Sequence, residues 1–444
     1  MTSKRDRARI LLIAPTALDY EGQPIKERRL YLPALTLPYL AALVPDDLSV
    51  RLVYETVEDI PFDEHWDLVG ITGMGSGIVR GWQIADKFRK LKTPVVFGGI
   101  AASLGEPEWT LAHADVLVSG EADIVWPQAI NDFLSGSLKQ QYRAESNGAS
   151  MPVPRYDLMT RTSLGRWRPV QATRGCPHTC SFCSVTSFHH GRYLRRPVPD
   201  VVRDVRAAKR YGSRYIAFVD DNIAADRDYV AELWEALIPE RIIWMSQCTV
   251  ELAESERLLK LARRSGCRLV SIGIESTNPE SLATIEKGWN RPDRYTAAFD
   301  AFRRNGIEVS TEMIVGFDSD DAGVFERTLS FILASRIAVP RVHILTPVPG
   351  TALYRELERS GRIANHDFGC YTGSKVVFRP SQIDPMLMQT EYWKLYEKLF
   401  SWRGMARRLI PGHTWLSPYM RAVIWASNLR YRGHIKARIS PGIL

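Results

Sequence analysis

Three cysteines fall within eight residues of one another in the stretch Thr173-Arg174-Gly175-Cys176-Pro177-His178-Thr179-Cys180-Ser181-Phe182-Cys183. Thiolates spaced as CxxxCxxC can wrap one face of a cuboidal iron–sulfur cluster, and with no fourth cysteine nearby one iron is left open to an external ligand. An open iron is what substrate chemistry at a cluster requires, whereas an electron-transfer cluster normally has four protein ligands. A structural zinc site would want a fourth Cys or His, and His178, His189 and His190 are near enough to be considered. The paired CxxC spacing of such sites is missing, so zinc is the weaker reading. Of the remaining cysteines, Cys248 and Cys267 read as small buried apolar residues. Cys370 lies beyond the last expected strand, where a substrate could enter.

A second group of candidates is built from glycine. The turns Thr72-Gly73-Met74-Gly75-Ser76-Gly77, Gly98-Gly99-Ile100-Ala101-Ala102-Ser103 and Ser119-Gly120-Glu121 each follow a short apolar run. Glycine lets a ligand approach the backbone closely, and exposed amides can hold phosphate or amide groups. In an open parallel sheet, the edge at the strands' carboxyl ends is where ligands bind.

The elements that must position these residues follow from the apolar rhythm. Strands are expected at Arg9 to Ala14, Val50 to Tyr54, Asp67 to Thr72, Pro94 to Phe97 and Val116 to Val118, alternating with helical segments. That is the pattern of a parallel α/β sheet covered by helices. Ser135 to Pro154, rich in Ser, Gly, Asn and Gln, reads as a linker. From Arg168 the alternation resumes. Strands are expected up to Thr173 and at Tyr215 to Val219, Ile242 to Gln247, Leu269 to Ile274, Glu308 to Val315 and Arg341 to Leu345, with helices starting near Pro199, Arg227, Ser255, Arg291 and Asp321. Six such units fall short of the eight of a closed barrel, so an open, partial TIM-type (β/α)6 barrel is expected, with function at the strands' carboxyl ends. The resulting domain plan is 1–137 for a Rossmann-like (flavodoxin-like) sheet domain, 138–165 for the linker, 166–352 for the barrel and 353–444 for a mostly helical extension. That extension is unusually aromatic, with Trp393, Tyr396, Phe400, Trp402, Trp415, Tyr419, Trp425 and Tyr431.

Composition sets the remaining bounds. With 444 residues, 45% hydrophobic and 24% charged, the chain is of globular type and too long for one ordinary core. Its apolar runs are far shorter than the roughly 20 residues of a membrane span. Met1 to Arg9 is basic but lacks the apolar core of a signal peptide, so a cytoplasmic location is expected and metal ligation is preferred over disulfides. The net charge of +8 is crowded late, at Arg403, Arg407, Arg408, Arg421, Arg430, Arg432, Lys436 and Arg438. Nucleic acid, an anionic membrane surface or a solvated basic face would each suit it.

The cysteine motif, with an aromatic residue just before its third cysteine, resembles that of the radical S-adenosylmethionine superfamily, over Arg168 to about Leu353. The resemblance implies that Cys176, Cys180 and Cys183 hold a 4Fe-4S cluster whose open iron chelates S-adenosylmethionine, with Phe182 beside the adenine. It implies that Asp220, Asp221 and Asn222 stand where the family contacts the substrate's amino group, that Glu275 reaches the ribose or methionyl end, and that Gly316 is the glycine of an adenine motif. The bland reading of Asp220 to Asn222 is an N-cap for the next helix, and of Gly316 a turn.

The amino-terminal half resembles the cobalamin-binding domain of the cobalamin-dependent members, through Leu35 to Leu43, Asp67 to Gly77, Gly98 to Ser103 and Gly120 to Asp123. Cobalamin contacts are thereby implied at Thr72, Gly73, Ser76, Gly98, Gly99, Ser103, Gly120 and Glu121. The Asp-x-His-x-x-Gly signature is absent, since Gly70 to Gly81 contains no histidine; the subfamily shows the same pattern, with no histidine beneath the cobalt. A methylthiotransferase would carry further cysteines before Cys176, and none exists.

Such a pair of cofactors implies methylation of an unactivated carbon through a 5′-deoxyadenosyl radical and methylcobalamin, fed by a reductase, flavodoxin or ferredoxin. Relatives use the same cofactors for cyclisation, ring contraction or oxidation, and a non-catalytic iron–sulfur sensor is the alternative from another class. The arginines interleaved with Trp and Tyr from Trp402 to Arg438 would suit a lipid surface and an isoprenoid or tetrapyrrole substrate; a helical cap with buried aromatics is the competing reading. RNA is disfavoured because no RNA-binding module is recognisable.

Overall fold

The computed structural model describes residues 8–144, 151–211, 213–410 and 418–441. Its strands are β1 (Arg9–Ala14), β2 (Ser49–Tyr54), β3 (Leu68–Thr72), β4 (Val95–Gly98), β5 (Val116–Gly120), β6 (Gln141–Ala144), β7 (Trp167–Val170), β8 (Thr173–Gly175), β9 (Tyr193–Arg195), β10 (Tyr215–Phe218), β11 (Ile243–Cys248), β12 (Cys267–Glu275), β13 (Glu308–Val315) and β14 (Val339–Ile344). Two six-stranded sheets result, in the orders β2-β1-β3-β4-β5-β6 and β14-β13-β12-β11-β10-β7. The chain divides into two compact units, 1–170 with 194–217, and 171–193 with 218–443.

In the first unit every pairing of the sheet is parallel. Central β1 buries Ile10, Leu11, Leu12 and Ile13 completely, as a parallel strand covered on both faces must. The helix Gly77–Lys90 buries Ile84, Ala85 and Phe88, and the helix Ala122–Ser135 buries Ala129, Ile130 and Phe133. One element differs from the sequence reading. Within the segment taken as linker, Gln141–Ala144 forms the sixth strand, paired in register with β5 from Leu117↔Gln141 to Gly120↔Ala144. Edge pairing explains why it was hidden: Tyr142 is its one buried side chain, so no apolar run marks it. Residues 145–150 of that segment lie outside the described residues.

The second unit shows an alternation toward the carboxyl ends of β11 to β14. Trp244, Ser246 and Cys248, then Val270, Ile272 and Ile274, then Thr311, Met313 and Val315, then Val342 and Ile344 are buried. Trp244 stacks on Trp234 of the helix Arg227–Leu237, ring centroids 5.7 Å apart, which identifies this as the helix-covered face. The opposite positions, Met245, Gln247, Leu269, Ser271, Gly273, Glu312, Ile314, Arg341 and His343, keep partial exposure and form an accessible face.

Because the barrel is not closed, β14 is an edge strand, whose unpaired backbone groups invite wrong pairing unless covered. The helix Pro385–Leu399 covers it: Tyr396 Oη accepts from Val342 N at 2.8 Å and lies 2.7 Å from Val342 O, while Tyr392 Oη donates to the same carbonyl at 3.2 Å. Arg408, fully buried in the helix Trp402–Leu409, donates to Ile337 O, Ala338 O, Leu399 O and Asn428 Oδ1 at 2.9 to 3.0 Å. Trp393, Tyr396 and Phe400 are buried with them, so this part of the extension is a cap on the barrel. Trp402 is 61% exposed; Trp415 and the Tyr419 side chain lie outside the described residues. Among the described residues no helix is long and apolar enough to cross a membrane.

Candidate functional site

The cysteine loop opens on β8 and closes on the helix Ser184–His189. Its start is fixed from below by the carboxylate after β10. Asp220, 1% exposed, accepts from Ala172 N at 3.1 Å, from the Thr173 amide, and from the Thr173 hydroxyl at 2.6 Å. Asp221 accepts from Gly175 N at 3.2 Å. Gly175 has φ of 79°, and a Cβ there would run into the Arg192 carbonyl, so only glycine can carry the chain into Cys176. Asn222 places Nδ2 3.9 Å from Cys176 Sγ. The following helix is capped by Asp226, whose carboxylate accepts from Asp228 N and Tyr229 N, so Asp220 to Asn222 are not its N-cap.

Cys176, Cys180 and Cys183 are free thiols, with Cys180 7% exposed. Burial pushes all three up, Cys180 to about 11, and Cys176 and Cys180 both feel the charge of Cys183, which marks them as neighbours. Among the described residues no three His, Cys, Asp or Glu close around one metal ion. Three thiolates that each take a different iron of a cube need not converge on one point, so this donor set fits a cluster. A further observation fits the open iron's ligand. Asn222 Oδ1 is buried with no hydrogen-bond partner, a costly arrangement that an incoming N–H donor beside Cys176 would relieve.

Phe182 is half-buried next to Cys183. Glu275 ends β12 with a left-handed φ of 57° and is paired to Lys287 at 2.6 Å. Gly316 has φ of 105°; its N–H and that of Phe317 donate to Asp320 at 2.8 and 3.0 Å, and a Cβ would stand 3.0 Å from Met388 Cε. The pattern there is a backbone turn that tolerates no side chain. Burial raises Asp220 to about 7 and Asp221 to about 6, opposed by their hydrogen bonds. Cys248, pushed up to about 12 by burial, and Cys267 are interior thiols, as their sequence context suggested. Cys370 is half-buried, 3.5 Å from an Asp367 oxygen.

In the first unit, the glycine turns meet at the carboxyl edge of the sheet. Gly73 N donates to Gly98 O at 2.7 Å and Ala101 N to Gly73 O at 3.2 Å. Ser103 Oγ donates to Gly99 O at 2.9 Å and accepts from Gly120 N at 3.0 Å, stitching the turns after β4 and β5 together. Gly99 has φ of 100°, and a Cβ would lie 2.5 Å from Gly73 O and 2.8 Å from Thr72 Oγ1. Gly120, φ 81°, abuts the Ala144 backbone, so β6 closes this side, with Glu121 starting the next helix. Ser76 is buried, whereas Met74 is 77% exposed and Gly75 has open space around it. The strand order reverses between β1 and β3, and the Gly73–Gly77 turn stands at that switch point, the expected ligand crevice. A backbone-lined edge of this kind fits the amide-bearing tail of a corrinoid.

Sequence reasoning missed two sets of residues. On the accessible face of the second unit, Glu312 Oε2 lies 3.1 Å from His343 Nε2, Glu312 pairs with Arg341, and Arg341 donates to Ser271 Oγ at 2.7 Å. Burial would raise Glu312, but Arg341 and then His343 outweigh it and hold it below the usual carboxylate range. The signal was present as polar residues at alternate positions of otherwise apolar strands. The other set is Lys287 and Trp289, beside the cysteine loop, which sit between elements with no periodicity to mark them.

Residues 170–332 match the model of the radical SAM superfamily. The bacteriochlorophyllide d C-12(1)-methyltransferase of Chlorobaculum tepidum is 28% identical over 386 residues, 84% of each chain. The hopanoid C-2 methylase of Rhodopseudomonas palustris is 26% identical over 355 residues, 76% of this chain and 66% of that one. Among solved structures, the radical S-adenosylmethionine methyltransferase TsrM from Kitasatospora setae, with cobalamin and a 4Fe-4S cluster bound, superposes with a TM-score of 0.68 at 15% identity, covering 97% of this chain and 98% of that one. Residues 170–332 are thus a radical S-adenosylmethionine domain, in a chain that shares its fold with a cobalamin-binding methyltransferase.

Proposed function

We propose that this enzyme is cobalamin-dependent and methylates an unactivated carbon of a largely apolar small molecule: a tetrapyrrole, an isoprenoid lipid or a natural-product precursor. The observation that carries the reading is the trio Cys176, Cys180 and Cys183 with the unpartnered Asn222 acceptor beside it. The named activities of the two relatives, on a bacteriochlorophyllide and a hopanoid, set the substrate class. When bound, the cluster and the corrinoid supply radical generation and methyl delivery.

The chain's own residues bind and orient. Cys176, Cys180 and Cys183 ligate the cluster, and Asn222 Oδ1 accepts from the amino group of S-adenosylmethionine. Asp220 and Asp221 hold the loop at its entry, Phe182 and the side-chain-free turn at Gly316 border the adenine, and Glu275 faces the methionyl end. Thr72, Gly73, Ser76, Gly98, Gly99, Ser103, Gly120 and Glu121 form the corrinoid's edge of the first sheet. On the accessible barrel face, Met245, Leu269 and Ile314 offer apolar surface, and the Glu312–His343–Arg341 cluster gives one polar anchor that orients the substrate.

An external low-potential protein supplies electrons. Peripheral contact with the inner face of a membrane is supported by exposed Trp402 at the start of the helix Trp402–Leu409 and exposed Ile410 just after it (61% and 69%), with exposed Arg403 and Arg407 between them. The proposal is tested by anaerobic turnover with S-adenosylmethionine and cobalamin. Methyl transfer to a tetrapyrrole or isoprenoid should yield S-adenosylhomocysteine together with 5′-deoxyadenosine; a protein that takes up no corrinoid under those conditions contradicts it.

A further inference from the structure

The segment after β12 is tied to the cysteine loop at several points. Ser181 N donates to Ile285 O at 3.2 Å. Trp289 lies flat on His178, ring centroids 4.0 Å apart and planes 15° apart. Asn290 Nδ2 reaches Gly273 O and Ile274 O at 3.3 and 3.4 Å, which pins the far end of the segment to β12. Between these anchors stands Lys287, 7% exposed, with Nζ 2.6 Å from Glu275 Oε1 and 5.3 Å from the Trp289 ring centroid. A Cβ on residue 273 would lie 2.5 Å from Glu275 Oε1 and 3.1 Å from Lys287 Nζ, so Gly273 leaves the room the pair fills.

A buried ion pair of this kind gains little stability over an apolar replacement, because desolvation offsets the attraction. Stability alone therefore gives no reason to build it, and its surroundings suggest another. The Lys287 charge is felt at both Cys180 and Cys183. At Cys180 it is the largest charge acting and outweighs the Glu275 carboxylate beside it. With Ile285 bonded to Ser181 and Trp289 stacked on His178 on either side of it, the Lys287 ammonium is thus held against the loop at Cys180 by a segment outside that loop.

We propose that Lys287, locked in place by Glu275 and Trp289, holds a fixed positive charge against the Cys180 and Cys183 side of the cluster and raises its reduction potential. Net charge and hydrogen bonds around a cluster set its potential, and in a low-dielectric interior a single nearby charge acts strongly. Reduction adds one electron, delivered by a low-potential donor protein, and the ammonium favours the more negative state. Lys287 is therefore a positioning residue that acts through the cluster. The inference rests on the cluster assignment and not on methyl transfer.

The test compares wild type, Lys287→Met, Lys287→Arg and the double variant Glu275→Gln/Lys287→Met, each anaerobically reconstituted, with iron and sulfide counted before any titration. Redox titration followed by the EPR signal of the reduced cluster should give a midpoint shifted to more negative values in Lys287→Met, and near wild type in Lys287→Arg. Should the single variant fail to hold a cluster because Glu275 is left unpaired, the double variant carries no stranded charge and should show a smaller shift in the same negative direction. An unchanged midpoint in a fully loaded neutral variant overturns the proposal. So does loss of the cluster from both neutral variants, which would make the segment a scaffold only. Failure of the cluster assignment itself would appear separately, as wild type that takes up no iron.

Discussion

Asp220 accepts from the Thr173 hydroxyl at 2.6 Å and from both amides at the start of the cysteine loop, so one carboxylate after β10 fixes the entry to the three-cysteine loop. Replacing it with alanine strands three buried donors, each costing about 1–3 kcal/mol unsatisfied. Asp220→Ala should lose about 3 kcal/mol or more in urea denaturation and should bind substoichiometric iron. Full iron loading with wild-type stability would show that the loop is held by other means.

The same carboxylate gives a pH dependence whose sign is fixed. Its folded value of about 7 lies above the ordinary value of 3.8, so its contribution to stability is present at low pH and is lost as pH rises through about 7. Asp221, at about 6, adds in the same direction. At about 1.4 kcal/mol per pKa unit, wild type should lose a few kcal/mol between pH 5 and pH 8, and Asp220→Asn should flatten that slope. Equal slopes in denaturation curves of the two proteins would contradict the burial of this charge.

Gly99 is a tight point of the glycine edge proposed to hold the corrinoid in the first unit. A Cβ there meets backbone at 2.5 Å and the φ of 100° is strained for any other residue, so Gly99→Ala should cost more than about 1 kcal/mol. It should also abolish the corrinoid absorption of protein purified anaerobically with cobalamin, while iron content stays at the wild-type level. Normal corrinoid loading would remove this edge from the binding site.

Glu312→Ala should leave cluster and 5′-deoxyadenosine formation intact but lower methylated product. The loss of a charged hydrogen-bonding anchor, about 1.5–3 kcal/mol, corresponds to roughly 10- to 100-fold. The ratio of methylated product to 5′-deoxyadenosine reads this directly. A ratio equal to wild type would mean that the polar cluster on the accessible face does not touch substrate.

Much of this was legible in the sequence because apolar periodicity and cysteine spacing are local. β1 and β13 fall at the expected residues, and Asp226 rather than Asp220 caps the next helix because the cap sits next to the first helical turn. What stayed hidden depends on distant residues meeting. Gln141–Ala144 became a strand through pairing with β5, not through its own pattern. Lys287, a surface-type residue in an irregular segment, is buried only because Glu275 lies twelve positions before it and Trp289 finds His178. The basic, aromatic extension suited a lipid surface or a helical cap alike, and Tyr396 and Arg408 turn inward to satisfy the edge strand and its approach.

The most direct test of the central claim is the reductive cleavage of S-adenosylmethionine by the anaerobically reconstituted protein, with the Cys176→Ala/Cys180→Ala/Cys183→Ala variant as control. Wild type with an intact 4Fe-4S spectrum should form 5′-deoxyadenosine on reduction, and the variant should form none. An intact cluster that yields no 5′-deoxyadenosine would contradict the account and leave an iron–sulfur protein of another kind.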